Sequence, residues 1–170
     1  MTQQLTIRPE RSELVDALGT VGDAMTRTVI SVPPDLSASE ALAQLYRSGV
    51  GGAPVVEHER VEGVMTIADL TTPRPYAREP GPFFRSNSRN SEWKVRDLMT
   101  QSALTASPDE PLGEAVVRMA RARIDRLPVV DRDDRPLGIV ARDDVVRVLS
   151  RVAARKETRI EARRPVLVPD

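Results

Sequence analysis

The chain has no cysteine among its 170 residues, which excludes disulfides, thiolate metal sites and a cysteine nucleophile together. Histidine is almost missing as well: His58 stands alone between Glu57 and Glu59, too little for a metal cluster or a recognisable catalytic arrangement. Net charge is nil, 25 Lys and Arg against 25 Asp and Glu, so no overall field draws nucleic acid or a membrane surface. Lys94 and Lys156 are the only lysines. No run approaches the roughly 18 apolar residues of a membrane span, and the N-terminal residues Met1 to Arg11 lack an apolar signal region. A soluble cytoplasmic protein is expected. Aromatics are scarce, and four of the five (Tyr76, Phe83, Phe84 and Trp93) lie in one Pro-rich stretch, residues 71–94.

What is present is said twice. Val21-Gly-Asp-Ala-Met25-Thr26 returns 74 positions later as Val95-Arg-Asp-Leu-Met99-Thr100. Ala53-Pro54-Val55-Val56-Glu57 returns as Leu127-Pro128-Val129-Val130-Asp131, and Gly63-Val-Met-Thr-Ile-Ala-Asp69 as Gly138-Ile-Val-Ala-Arg-Asp-Asp144. Three landmarks in one order indicate a duplicated structural unit. Two such units bury apolar faces against each other, so a functional site is expected in the cleft between them.

Within repeat one, Thr28–Val32 is β-branched and predicts a strand ended by Pro33-Pro34. Ser37-x-x-Glu40 reads as a capping box that opens a helix with Ala41, Leu42 and Leu45 on one face. Gly49-Val-Gly-Gly52 stops it. Pro54–Glu57 and Val61–Met65 follow as strands, and Thr66 opens a second helix. Repeat two predicts a strand over Ser102–Ala106, a helix over Pro111–Arg123, and strands over Leu127–Asp131 and Pro136–Val140. A last helix from Ala141 to about Arg155 would bury Val145, Val148, Leu149 and Val152. Each unit is thus β-α-β-β-α, preceded by a short helical lead-in that ends at Met25 or Met99.

The Met-Thr lead-in, the hydrophobic-Pro-Val-Val strand and the Gly-hydrophobic-x-Thr-x-x-Asp helix entry, occurring twice in order, resemble the CBS domain, named for cystathionine β-synthase. The resemblance covers about residues 21–70 and 95–149. It implies an α/β (α+β) fold of two β-α-β-β-α repeats packed with pseudo-two-fold symmetry, sheets facing inward. The corresponding layout is an N-terminal extension (1–20), repeat one (21–70), a linker (71–94), repeat two (95–150) and a basic tail (151–170). It further implies homodimers and an adenosine-containing ligand (AMP, ADP, ATP or S-adenosylmethionine) in the clefts between repeats.

Thr66 and Asp69 are the sharpest candidate pair. Three residues apart on a helix, they share the end of its first turn. An ionised carboxylate there can accept from both ribose hydroxyls, while the threonine can donate to a phosphate. The same Thr-x-x-Asp is also a good helix cap, worth about 1 kcal/mol without any ligand. In nucleotide-binding relatives the matching Asp contacts ribose, which implies that role for Asp69. Repeat two keeps Asp144 but carries Ala141 for the threonine, so unequal sites are expected, with the Asp69 site better formed. Arg126 precedes Leu127-Pro-Val-Val where some relatives place a phosphate-facing base; its counterpart is Gly52. Arg121 and Arg123 read as helix surface. The resemblance also implies an adenine slot beside Thr28, Val29, Ala53, Pro54 and Val55 in repeat one and Ser102, Ala103, Leu127 and Pro128 in repeat two.

The remaining clusters carry less. Asp131-Arg-Asp-Asp134 lacks the glycine and distal glutamate of a calcium loop and reads as a polar hairpin turn. Phe83, Phe84 and Trp93 are expected to pin the linker onto the domain. The basic run Arg151–Arg164 has no aromatic interleaving, which disfavours nucleic acid as a partner. The expected function is a stand-alone, dimeric regulatory sensor, not an enzyme, with no required cofactor and an effector on a separate protein. The alternative is a ligand-free interaction or scaffold module acting through dimerisation and the 71–94 loop.

Overall fold

Each repeat is entered through a helix of one turn, closed at its start by side chains. In α1 (Val21–Ala24) the Thr20 hydroxyl accepts from Asp23 N–H (3.3 Å) and the Asp23 carboxylate accepts from Thr20 N–H (3.0 Å). The lead-in of repeat two, α4 (Val95–Leu98), uses Asp97 on the Lys94 N–H in the same way (3.0 Å). The computed structural model describes residues 17–71 and 93–161, with side chains to residue 155 in the last helix. The linker aromatics Tyr76, Phe83 and Phe84 and the tail Pro165–Pro169 lie outside the described residues. Between and after the lead-ins come α2 (Ala38–Arg47), β1 (Gly52–Glu57), β2 (Arg60–Thr66) and α3 (Ile67–Thr71), then β3 (Thr100–Gln101), α5 (Leu112–Ala122), β4 (Arg126–Val130), β5 (Pro136–Ala141) and α6 (Arg142–Glu161).

The capping box expected at Ser37 is present. Ser37 Oγ accepts from Glu40 N–H (3.2 Å) and donates to the Glu40 carboxylate (2.6 Å), so α2 begins at Ala38. Ala41 and Leu45 are fully buried beneath it. The two hairpins also form. β1 and β2 pair antiparallel around His58-Glu59, both left-handed (φ 50° and 65°), as a two-residue hairpin loop requires. β4 and β5 pair around a turn in which the Asp131 carboxylate accepts from the N–H groups of Asp133 (2.8 Å) and Arg135 (2.9 Å).

Two expectations fail. The strands predicted over Thr28–Val32 and Ser102–Ala106 shrink to one parallel bridge each, Val32 with Val55 and Ala106 with Val129. Only Val32 and Ala106 of those runs are buried, so no alternation sustains a second rung. Ser102 moreover takes a left-handed φ of 48°, which breaks the extended run. Leu149, expected on the inner face of the last helix, is 40% exposed. Val145, Val148 and Val152 follow the 3-4 spacing that faces the core, and Leu149 sits about 70° from the middle of that stripe, at its edge.

The lead-ins are exchanged. Val95 and Leu98, with Trp93 packed beside them, belong to the core of repeat one, among Val32, Ala38, Leu45, Val55, Met65 and Leu70. Val21, Ala24 and Met25 belong to the core of repeat two, among Leu112, Met119, Leu127, Val129, Val140 and Val148. The backbone bonds that seat them recur at the offset of the sequence repeat. Val95 N–H bonds Leu36 C=O (2.9 Å) as Val21 N–H bonds Glu110 C=O (2.9 Å). Arg96 and Pro34 match Gly22 and Pro108, and Ala38 and Trp93 match Leu112 and Gly19. Beyond each lead-in the chain adds an edge to the other repeat's sheet: β3 pairs with β2 through Gly63 and Val64, and Thr26 exchanges both backbone bonds with Ile139 (2.9 and 3.0 Å).

That approach explains the glycine that opens the third repeated landmark. A Cβ on Gly138 would meet Met25 Sδ at 2.6 Å and the Thr26 carbonyl at 2.9 Å; one on Gly63 would collide with the Thr100 carbonyl. Gly63→Ala and Gly138→Ala are therefore expected to cost about 1–3 kcal/mol each, the cost of forcing a methyl into filled space. Urea unfolding measures it, and a loss under 0.5 kcal/mol at both sites, by the same scale, would contradict the seating described.

Acid sensitivity follows from the caps and turns. Hydrogen bonds from Thr20 hold Asp23 below the usual carboxylate range, those from Ser37 lower Glu40, Lys94 and then Arg96 lower Asp35, and the Arg135 N–H lowers Asp131. Depressed folded-state values mean stability that is complete above the unfolded pKa, about 4, and lost as pH falls through the folded values. The urea midpoint is expected to be flat from pH 7 to 5 and to fall below about pH 4, less steeply in Asp23→Asn and Glu40→Gln.

Candidate functional site

At Thr66 the second strand of repeat one becomes α3, and the turn is locked from within. Asp69 Oδ2 accepts from the Thr66 N–H (2.9 Å) and hydroxyl (2.7 Å), and Thr66 Oγ1 accepts from Asp69 N–H (3.2 Å). The Ile67 N–H bonds the Gly51 carbonyl (3.0 Å), tying the turn to the start of β1. The capping reading of Thr-x-x-Asp is thus realised, and it leaves the half-buried Asp69 on the wall of an open space.

That space is a cleft of about 530 Å³ between the repeats. Repeat one contributes Gly51, Val64, Thr66, Ala68 and Asp69; β3 and the segment after it contribute Thr100, Ser102, Ala103 and Leu104, and the chain from the end of α5 to the start of β4 contributes Arg123 to Arg126. The exchange builds it. Because β3 lies on β2, the chain leaving it must turn over the mouth of Asp69, and the left-handed Ser102, held by its N–H on Glu62 C=O (3.1 Å), makes that turn. Leu104 is exposed there, an apolar surface facing the opening.

Arg126 is the cation of the cleft. It begins β4, and its Nη1 donates to the Gly52 carbonyl of the other repeat (3.1 Å). Its guanidinium lies within about 3 Å of where side chains on Gly51 and Gly52 would start, so glycine there makes the room. Burial pushes its pKa down, opposed by the charges of Asp125, Asp143 and Asp69, and an arginine stays cationic throughout. Its Nε is buried and has no partner among the described residues.

The predicted residues divide cleanly. Thr66, Asp69, Ser102, Ala103 and Arg126 come together in this one cleft. Ala53, Pro54 and Val55 on β1, and Leu127 and Pro128 on β4, are buried strand residues that do not line it. Thr28 is exposed and Val29 half-buried, both away from it. Asp144 is 4% exposed. Ser102 and Ala103 therefore face Asp69 of repeat one and not Asp144 of their own repeat, a consequence of the exchange. Arg123, read as helix surface, instead ends α5 in a left-handed conformation (φ 55°) and lines the cleft with Ile124 and Asp125. Its signal in the sequence was its alignment with Gly49, the helix stop of repeat one.

The CBS domain family profile matches residues 21–72 and 95–151. Among curated proteins, the CBS domain-containing protein YhcV of Bacillus subtilis is 30% identical over 128 residues, 75% of this chain and 84% of that one. The chain spans less than half the length of the first curated relatives it matches, 44% of one and 25% of the next. Among solved structures, CBSX2 (from Arabidopsis thaliana) in complex with AMP superposes with a TM-score of 0.67 at 28% identity, covering 79% of this chain and 99% of that one. The CBS domain pair of protein MJ0100 in complex with 5′-methylthioadenosine and S-adenosyl-L-methionine gives 0.62 at 25% identity, covering 77% and 95%.

The Thr66 lock has a value of its own. Thr66→Ala deletes a cap acceptor and a hydroxyl bonded to Asp69, and is expected to cost about 1 kcal/mol by urea unfolding. A neutral result would mean that the turn is held by its backbone N–H bonds, from residue 66 to Asp69 and from Ile67 to Gly51, without the hydroxyl.

Proposed function

The chain belongs to the CBS domain family, and from that premise we propose that it is a regulatory module that binds an adenosine-containing ligand in the cleft between its repeats. One observation carries the reading: a carboxylate, a guanidinium and an apolar wall converge on a single cleft, and they come from different repeats. Asp69, fixed by Thr66, offers its carboxylate to ribose hydroxyls. Arg126, with Arg123 beside it, offers donors to an anionic group. Val64, Leu104 and Ile124 offer apolar surface to a base. The AMP and S-adenosyl-L-methionine complexes of the two related pairs support this ligand class.

Binding rather than catalysis is the output that fits. A ligand touching both repeats stabilises their present arrangement, and it can do so only by its differential affinity for that arrangement. The response passes to a separate effector, with the module acting as a homodimer.

The test is a melting-temperature panel with AMP, ADP, ATP, S-adenosylmethionine and NAD at millimolar concentration. A ligand at 100 times its Kd adds about 2.7 kcal/mol, or roughly 5–10 °C for a chain of this size. A shift with one of them that disappears in Asp69→Ala is the expected result. No shift with any adenosine compound would overturn the reading in favour of a scaffold that engages protein partners only.

A further inference from the structure

The duplicated sequence offers two carboxylates for the same task, Asp69 and Asp144, yet the structure treats them differently. Asp69 is half-buried on the wall of the cleft. Asp144 is almost fully enclosed, and both of its oxygens are engaged. Oδ2 accepts from the Ala141 N–H (2.8 Å), capping α6. Oδ1 accepts from Arg147 Nη1 (2.9 Å), one turn along the same helix, and more distantly from the Thr26 hydroxyl (3.4 Å). Thr26 is on the exchanged lead-in of repeat one, so Asp144 joins that segment to the helix it packs against. Ala141 leaves this position without the hydroxyl that Thr66 supplies in repeat one.

We infer that Asp144 is a structural anchor, with Arg147 as its built-in counter-cation, and that each chain therefore takes one ligand, at Asp69. A sugar diol at Asp144 would have to displace Arg147 from a carboxylate that is 4% exposed, with only neutral hydroxyls to replace a guanidinium. Sugar hydroxyls could hydrogen-bond the carboxylate but would bring no positive charge to an almost fully enclosed anion, so the exchange is unfavourable. The ligand count rests on the function proposed above; the anchoring role does not.

Two measurements decide it, both on the full chain. In the unliganded protein, Asp144→Asn and Arg147→Met are each expected to lower Tm by at least about 3 °C, with the double variant well short of the sum. Unchanged singles, or a fully additive double, would overturn the anchor. Calorimetric titration with AMP and with S-adenosylmethionine is then expected to give one site per chain, lost in Asp69→Ala and kept in Arg147→Met within about threefold in Kd, a difference below 1 kcal/mol. Two sites per chain, or one site that survives Asp69→Ala, would overturn the single-ligand inference while leaving the binding function intact. If neither compound binds, the titration is repeated with ADP, ATP and NAD, and the function proposed above fails only when none of the five binds; the double-mutant cycle decides the role of Asp144 in either case.

Discussion

The interaction on which this molecule depends is the reciprocal seating of each lead-in on the other repeat. Val95 and Leu98 complete the core built from Val32 to Leu70, and Val21, Ala24 and Met25 complete the core built from Ala106 to Val152. Full burial of a Val, Leu or Met side chain is worth about 1.5–3 kcal/mol, so each exchange contributes several kcal/mol before its backbone bonds are counted. Total stabilities of domains are about 5–15 kcal/mol, which makes the exchange a sizeable part of the whole. Neither repeat has a finished core without the other. The close approach of Met25 to Gly138 and of Thr100 to Gly63 is the steric condition for it.

The cleft is a by-product of that condition. Once β3 lies on β2, residues 100–104 are delivered beside Thr66 and Asp69, and the start of β4 is brought to the start of β1, where Arg126 reaches the Gly52 carbonyl. The acidic wall and the basic wall thus arrive from different repeats without any long loop to place them. Rigid elements position such groups more tightly than loops do.

Much of this was legible in the residues, and the part that was not has a common cause. The Ser37 capping box, both hairpins and the Thr66–Asp69 lock are local, set by residues three or four apart or by a period of two, and the duplicated order is written in the sequence repeat itself. Trp93, too, packs on the domain as an aromatic in a linker was expected to. The failures are non-local. The exchange cannot be read from a strand's own pattern, and Ser102 and Ala103, expected at the slot of repeat two, line the cleft that holds Asp69 of repeat one. Thr28–Val32 had strand composition but only one residue with a partner, because propensity does not supply a neighbouring strand. Leu149 fitted an apolar stripe, and which side of a stripe is covered is set by packing that the helix alone does not encode.

The scale of the exchange also limits what a ligand can change. Occupancy at 100 times Kd contributes about 2.7 kcal/mol, less than the burial that seats the two lead-ins. A ligand in the cleft therefore cannot compete with the exchange. What lies within its reach is the Arg126–Gly52 contact, a bond from a charged donor worth about 1.5–3 kcal/mol, on a guanidinium whose Nε is buried without a described partner. An anionic group entering beside Arg126 would satisfy that side chain and compete for the donor now given to Gly52. The response open to this module is consequently small and local, an adjustment at the seam where β4 meets β1, with both cores intact on either side.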